Sequence, residues 1–474
     1  MRLSRATLSR VAPAARPLAE PRVTGVVHLG IGAFHRAHQA VYTERAMAVT
    51  GDDRWGICGA SQRSTDVVDR LRPQDCLYGV RAGDEVRVVG SVREVLAPGD
   101  DLAARLAAPE TAVVTLTITE KGYRRDPLPG GPPTTAGRLV AGPSTASGRL
   151  VAEPSTMIGR LVAGLRARAA ADAGPLTVVS CDNLPDNGAT LAGLVAELCE
   201  PRLLQWVEEN VRFPATMVDR IVPATTQADL DDMAVRLGVT DLGAVATEPF
   251  TQWVIEDSFA GDRPAWDRAG ALLVDDVRPY ERMKLRLLNG GHSAIAYLSG
   301  AAHVSEAVGD PAFTGFLRRL MDDDLSPTLD GLDGFDLAGY KESLLTRFAN
   351  PGLRHRVAQI AADGSQKLPQ RLLDPARDRL AGGHEPRWIA LVVAGWMRHV
   401  TTARELDDPL ADRLRGDETA SAAATVKRLL AIEEIFGADL REHRVFRELV
   451  TDSLERLDAD GVPAALRALA AGPS

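Results

Sequence analysis

Residues 24–36 read TGVVHLGIGAFHR. The first six form a short run rich in β-branched side chains, which favours an extended strand. Gly30 and Gly32 then allow a tight turn, and Ala33-Phe34-His35-Arg36 opens a helical pattern. A strand, a glycine turn and a helix start in that order bring backbone N–H groups close to a pyrophosphate, which sits on the helix N-terminus. The stretch lacks the third glycine of a full GxGxxG, because His35 stands there.

Working outward, the same alternation continues. Trp55 to Ala60, Ala112 to Thr119 (AVVTLTIT), Leu176 to Ser180 and Thr216 to Val222 read as strands, and Val86 to Val95 as a hairpin. Helical spacing falls between them at Ala37 to Ala48, Ile158 to Ala170 and Gly188 to Trp206. Strands alternating with helices imply an α/β fold with a mostly parallel, doubly wound sheet. Past Tyr280 the spacing is helical throughout, in Met283 to Ser299, Pro311 to Leu325, Pro386 to Val400, Ser421 to Phe436 and Arg444 to Leu457. This predicts one domain over residues 1–280 and a mostly α-helical one over residues 281–474.

Bulk composition narrows the function. The 474 residues carry a net charge of −9, which disfavours nucleic acid and anionic membrane surfaces as partners. No apolar run approaches the ~20 residues of a membrane helix. Four cysteines, Cys58, Cys76, Cys181 and Cys199, form no CxxC pair, so neither a zinc site nor a disulfide framework is expected. The chain reads as cytoplasmic. Its first nineteen residues hold four arginines and no acid, and are read as an extension packing on the first domain rather than a transit peptide. GRLVA recurs at Gly137, Gly148 and Gly159, a local duplication in a loop before a helix.

Only five of the 55 cationic residues are lysines: Lys121, Lys284, Lys341, Lys367 and Lys427. A lysine in an arginine-rich chain points to work that arginine does badly, such as releasing a proton near neutral pH. Lys284 opens KLRLLNGGHS. At 100° per residue, Asn289 lies about 140° and His292 about 80° around a helix from it. An amine, an amide and an imidazole on one face suit alcohol oxidation, which needs a base, donors for the developing alkoxide and an orienting group. The same residues also serve as a surface lysine, a cap and a packed histidine, and spacing alone leaves both readings open.

Other polar clusters are ambiguous by themselves. Ser180-Cys181-Asp182-Asn183 ends a strand at the sheet edge where ligands bind. Val218-Asp219-Arg220 fits a structural ion pair or a site. Glu120-Lys121-Gly122-Tyr123 follows the strongest strand, and Asp363-Gly364-Ser365-Gln366-Lys367 sits in a loop. The second strand should end in an acid for the adenosine ribose. Instead Arg63 is the first charged residue and Asp66 the first acid, so the cofactor is read as NAD with NADP left open.

Taken together, VRFPATMVDRIVP (residues 211–223), KLRLLNGGHS (284–293) and TEKGY (119–123) resemble the polyol-specific long-chain dehydrogenase/reductase family, which includes mannitol 2-dehydrogenase and fructuronate reductase. The resemblance runs from Gly25 to Leu372. It implies a Rossmann domain and a helical substrate domain, hydride transfer between a nicotinamide and a secondary alcohol, and no catalytic metal. It places Lys284 as general base, Asn183 and Asn289 as the pair stabilising the alkoxide, and His292 on substrate hydroxyls. Asp219 and Lys367 fall on substrate-binding positions, Glu120 on an acid that passes the proton to water, and Glu281 one turn before the lysine. Gly30, Gly32, Phe34, His35, Arg36, Thr117 and Arg63 fall to the cofactor. Residues 137–157 look like an insertion relative to the family. The runs HRVAQ (355–359) and DGSQKLPQR (363–371) are closer to the fructuronate reductase branch, and Arg354, Arg356, Lys367 and Arg371 suit a sugar carboxylate. D-mannonate/D-fructuronate is therefore the expected pair, ahead of D-mannitol/D-fructose, a polyol phosphate, or a non-catalytic sensor on the same scaffold. Nothing in the sequence demands an oligomeric interface, and a monomer suffices.

Overall fold

The computed structural model describes residues 1–123, 156–353, 355–416 and 419–471. Its compact units are Met1–Arg278 and Pro279–Ser474.

The first unit is organised by a six-stranded parallel sheet. Its strands are Thr24–Leu29 (β1), Gly56–Ala60 (β2), Val92–Leu96 (β5), Val113–Leu116 (β6), Leu176–Ser180 (β7) and Val211–Arg212 (β8), in the order β5-β2-β1-β6-β7-β8. All six residues of β1 are buried, as expected for a central parallel strand covered on both faces. Successive side chains feed opposite cores. Val26, Ile57, Val113 and Val179 enter one, while Val27, Leu29, Cys58, Val114 and Val178 enter the other. Two small sheets flank this one. Tyr78–Ala82 (β3) pairs with Glu85–Val89 (β4) and Val245–Thr247 (β10), and Gln252–Glu256 (β11) joins Thr216–Asp219 (β9) to Leu272–Val274 (β12).

Several elements differ from expectation for local reasons. Val86 to Val95 is not a hairpin: β4 turns back on β3, while β5 leaves to pair with β2 in the main sheet. Gly188 to Trp206 is two helices, Asn187–Leu198 and Pro201–Asn210, because Pro201 lacks an N–H and starts a new first turn. The strand predicted from Thr216 ends at Asp219 and belongs to the small antiparallel sheet. In the N-terminal segment, Leu3 and Val11 are buried against Leu77, Val88, Met233 and Leu237. Residues 137–155 of the GRLVA repeat lie outside the described residues. The third copy begins inside the helix Met157–Ala170.

The second unit is helical. Among the described residues three of its turns are π-helical, with i→i+5 hydrogen bonds: Lys284–Asn289, Leu320–Leu325 and Pro369–Leu373. Each interrupts an apolar pattern whose helical period runs across it. Gly290 and Gly291 let them pack closely. A Cβ on Gly290 would lie 3.3 Å from the Arg371 carbonyl and 3.5 Å from Leu325, and one on Gly291 would lie 3.2 Å from Phe348. Among the described residues no helix is long and apolar enough to cross a membrane.

Beneath the glycine turn, His28 and His35 are fully buried and their rings stack at 3.4 Å. Thr117 Oγ1 donates to the Gly30 carbonyl, so His28 Nε2 must carry the proton that it shares with Thr117, and Nδ1 accepts from Thr115. Burial lowers the His28 pKa to about 3 and holds His35 well below its usual 6.5. Below pH 6.5 the unfolded chain therefore takes up protons that the folded chain refuses, at about 1.4 kcal/mol per pH unit for each ring. Glu44, buried and raised to about 7, acts in the opposite sense between pH 4.5 and 7. A substitution at one histidine isolates its share. His35→Leu should lower the thermal midpoint less than wild type does on going from pH 6.5 to 5, and equal acid slopes would reject this account.

Candidate active site

In the first unit the chain reverses its direction of sheet growth at β1, with β2 on one side and β6 on the other. Open α/β sheets bind ligands at the carboxyl ends of such strands. Gly30 occupies that point at φ +95°, a conformation that L side chains rarely adopt, and a Cβ there would strike the Thr117 carbonyl. Gly32 precedes the short helix Ala33–Ala37 and faces nothing but the Gly30 carbonyl at 3.8 Å. This backbone has the freedom and the open approach that a dinucleotide requires.

The side chains around it divide into two groups. Thr117 holds the turn through its bond to Gly30, and Phe34 stacks on His38 at 5.0 Å. His35 is turned into the core, and Arg36 is buried with its guanidinium on the Gly243 carbonyl and against Tyr78. At these two positions the side chains are engaged within the protein, and what faces the turn is backbone. Arg63 is exposed.

The motifs after β6 and β7 are parts of one assembly. Asp182 accepts hydrogen bonds from Ile118 N (3.0 Å), Thr119 N (2.7 Å) and Tyr123 Oη (2.8 Å), so it pins TEKGY to the end of β7. Thr119 is held at φ +64° there, and Glu120–Tyr123 forms a single 3-10 turn, with the Glu120 side chain outside the described residues. Asn187, next on the chain, spans β7 and β9 by bonding Asp182 O (2.9 Å), Thr216 O (2.8 Å) and Thr216 N (2.9 Å). These two anchors were invisible to motif reading. Their signal is a short polar side chain in the residues just after a buried strand. Asn183 is exposed beside them, and Asp219 is buried at the end of β9. Arg220 directs its guanidinium to the carbonyls of Glu248 and Ala37, and burial lowers its pKa to about 10.

In the second unit, Lys284–Asn289 is the π turn, and this changes the expected azimuths. A ring closed between residues five apart returns Asn289 close to the direction of Lys284, rather than 140° from it. His292 lies three residues further, within the α-helix Gly290–Leu298, as a same-face neighbour of Asn289. Lys284 is half-buried. The His292 ring is buried between Phe348 (4.7 Å) and His355 (5.0 Å). Burial, then the nearby His355 and Arg371, keeps it well below its usual pKa, so it is neutral at physiological pH.

The DGSQK loop is more than a turn. Asp363 takes φ +54°, Ser365 bonds the Asp408 carboxylate through N (2.8 Å) and Oγ (2.5 Å), and Gly364 leaves no room for a Cβ against Trp396 and Tyr297. Lys367 donates to the carbonyls of Ala362 (2.5 Å) and Ile360 (3.3 Å), and burial lowers its pKa. Arg356 is exposed, at the start of the helix Val357–Ala361. Arg371, four residues past Lys367, reaches back with Nη1 to Ser293 Oγ (3.3 Å) and Asn289 O (3.5 Å). Arg354 lies outside the described residues.

Comparison with known proteins agrees with this layout. Residues 24–268 match the mannitol dehydrogenase Rossmann domain, and residues 276–458 match the mannitol dehydrogenase C-terminal domain. An uncharacterized oxidoreductase of Escherichia coli (strain K12), YeiQ, is 43% identical, over 93% of either chain. The D-mannonate oxidoreductase of the same organism is 42% identical, over 94% of this chain and 95% of its own. Among solved structures, Pseudomonas fluorescens mannitol 2-dehydrogenase in ternary complex with NAD and D-mannitol matches with a TM-score of 0.78 and 37% identity, covering 100% of both chains. With a Rossmann unit and a mostly helical unit that each match their family counterparts, the chain is an oxidoreductase of the mannitol dehydrogenase family.

Proposed function

We propose that the protein interconverts D-mannonate and D-fructuronate with NAD as cofactor and Lys284 as general base. The observation that carries this is the π turn that brings Lys284 and Asn289 to one side of the helix, with His292 following on the same face. The uronate reading is supported by the likeness to a D-mannonate oxidoreductase over nearly the whole of both chains and by the cationic segment 356–371.

NAD, when bound, would supply the acceptor or donor for the hydride exchanged with the carbinol carbon. Gly30, Gly32 and the first turn at Ala33 would hold its pyrophosphate by backbone, with Phe34 and Thr117 beside it. Arg63 is available to a 2′-phosphate, so NADP is the alternative cofactor. In the oxidation direction neutral Lys284 takes the hydroxyl proton. The family resemblance gives the side-chain amides of Asn183 and Asn289 the role of donating to the oxygen as charge develops on it. His292, neutral, exchanges hydrogen bonds with a substrate hydroxyl. Asp219, Lys367 and Arg356 orient the rest of the chain. Among the described residues Lys367 has two carbonyl partners, which leaves one of its three N–H groups for substrate. Glu120 passes the proton on to water.

Positioned acid–base groups are each worth roughly 10²–10⁴-fold. Lys284→Ala should therefore reduce turnover at least a hundredfold, and near-normal turnover from pH 6 to 10 would show that the base lies elsewhere. Substrate class is settled by following nicotinamide absorbance with D-fructuronate, D-fructose and fructose 6-phosphate, each with both cofactors. D-fructuronate should give the highest kcat/KM. Preference for fructose would return the mannitol 2-dehydrogenase reading, and cofactor binding with no turnover of any of the three would favour a sensor. Gly30→Ala should weaken NADH at least tenfold in a fluorescence titration, and unchanged affinity would move the cofactor away from this turn.

A further inference from the structure

Among the described residues of the second unit, Arg371 differs in charge balance from the arginines near it. Arg286 pairs with Asp378 at 2.7 Å, and Arg377 with Asp439 (2.6 Å) and Asp374 (3.0 Å). Arg379 lies 3.8 Å from Asp324. Arg371, half-buried, has no carboxylate of the described residues within 4 Å. Its two hydrogen bonds are long, at 3.3 and 3.5 Å, and both use Nη1. Nε and Nη2 make no bond to the described residues, yet neither is sealed from solvent. A guanidinium has five donors in a rigid fork, and the three not used by Asn289 and Ser293 are open to an incoming anion.

Its surroundings fix where that anion would lie. Arg371 belongs to the π turn Pro369–Leu373 and is tied to Asn289 and Ser293, which flank His292. It is also close enough to His292, Lys367 and Tyr297 for its charge to be felt by each. Lys367 is already committed to two carbonyls, and Arg356 lies exposed, so neither offers a half-buried planar fork as Arg371 does.

We propose that Arg371 binds the substrate's carboxylate and thereby determines selection of a sugar acid over a neutral polyol. This deepens the uronate reading and rests on it. A carboxylate accepts two parallel N–H bonds from the Nε/Nη2 edge, a geometry that lysine cannot reproduce. Meanwhile Nη1 keeps its hold on Asn289 and Ser293, so that the amide at Asn289 and the carboxylate site share one rigid support.

The test measures binding to the NADH-loaded protein, in which the alcohol products are not turned over. D-mannonate and D-mannitol are titrated by calorimetry into wild type, Arg371→Gln and Arg371→Lys, with thermal melts to confirm folding. Expected is a fall in the mannonate-to-mannitol affinity ratio of at least 30-fold for Arg371→Gln and about tenfold for Arg371→Lys. Parallel weakening of both ligands would reduce Arg371 to a support for the π turn, and an unchanged mannonate affinity would remove it from the site; either overturns the proposal. If Arg371→Gln fails to fold, Arg371→Lys alone decides by the same ratio. The uronate reading fails separately, and takes the proposal with it, if the wild type reduces fructose and binds mannitol but neither binds mannonate nor reduces fructuronate.

Discussion

The i→i+5 hydrogen bonding of Lys284–Asn289 sets the direction of every polar group on that helix. In an uninterrupted α-helix Asn289 would face away from Lys284. The wider ring turns it back, and the α-helix resuming at Gly290 then delivers His292 on the same side. Such a turn has poorer backbone geometry than an α-turn, so its surroundings must hold it. Two further π turns pack against it, Gly290 and Gly291 permit that approach, and Arg286 clamps its middle by bonding both Thr328 O and Asp378 at 2.7 Å. Arg371 secures its end.

The first unit meets a comparable demand differently. Its constraint is backbone conformation at Gly30, imposed because the chain must turn sharply beside the Thr117 carbonyl. Neutral His28, bridging Thr115 and Thr117 from below, keeps β1 and β6 in register where the turn begins. Asp182 performs the same service for the next loop by gathering two backbone N–H groups and a phenol. In both places a single buried polar residue satisfies backbone groups that a sharp turn leaves without ladder partners.

Much of this was legible in the sequence, for identifiable reasons. β1 and β7 were read at their observed limits because apolar runs end at a glycine or a polar cluster. The parallel sheet followed from strand–helix alternation. What escaped was whatever depends on partners distant in the chain. β5 reads from sequence as half of a hairpin because its partner, β2, lies 32 residues or more upstream. The π turns escaped because burial of Met283, Leu287 and Leu288 satisfies a 3.6-residue period. The segment that reads most clearly as a helix is thus the one whose local geometry departs from it. The loop anchors Asp182, Asn187 and Asp408 were missed because nothing in a short motif states which backbone groups it must satisfy.

The scarcity of lysine acquires a physical basis from the arginines. Arg168 places its fork on five carbonyls, those of Leu106, Ala108, Ala173, Gly174 and Pro175. Arg220 and Arg36 likewise cap buried carbonyls. A planar five-donor cation suits this structural work, and an ammonium with three donors does not. Where lysines occur, Lys341 is paired with Asp322, Lys427 is exposed, and Lys367 closes a helix end through two carbonyls. Lys284 differs in standing at the first residue of a π turn that ends on an amide, with a neutral imidazole in the α-helix that follows. An arginine there would keep its proton at any working pH, so the general base proposed for this position is a role open to lysine and closed to arginine.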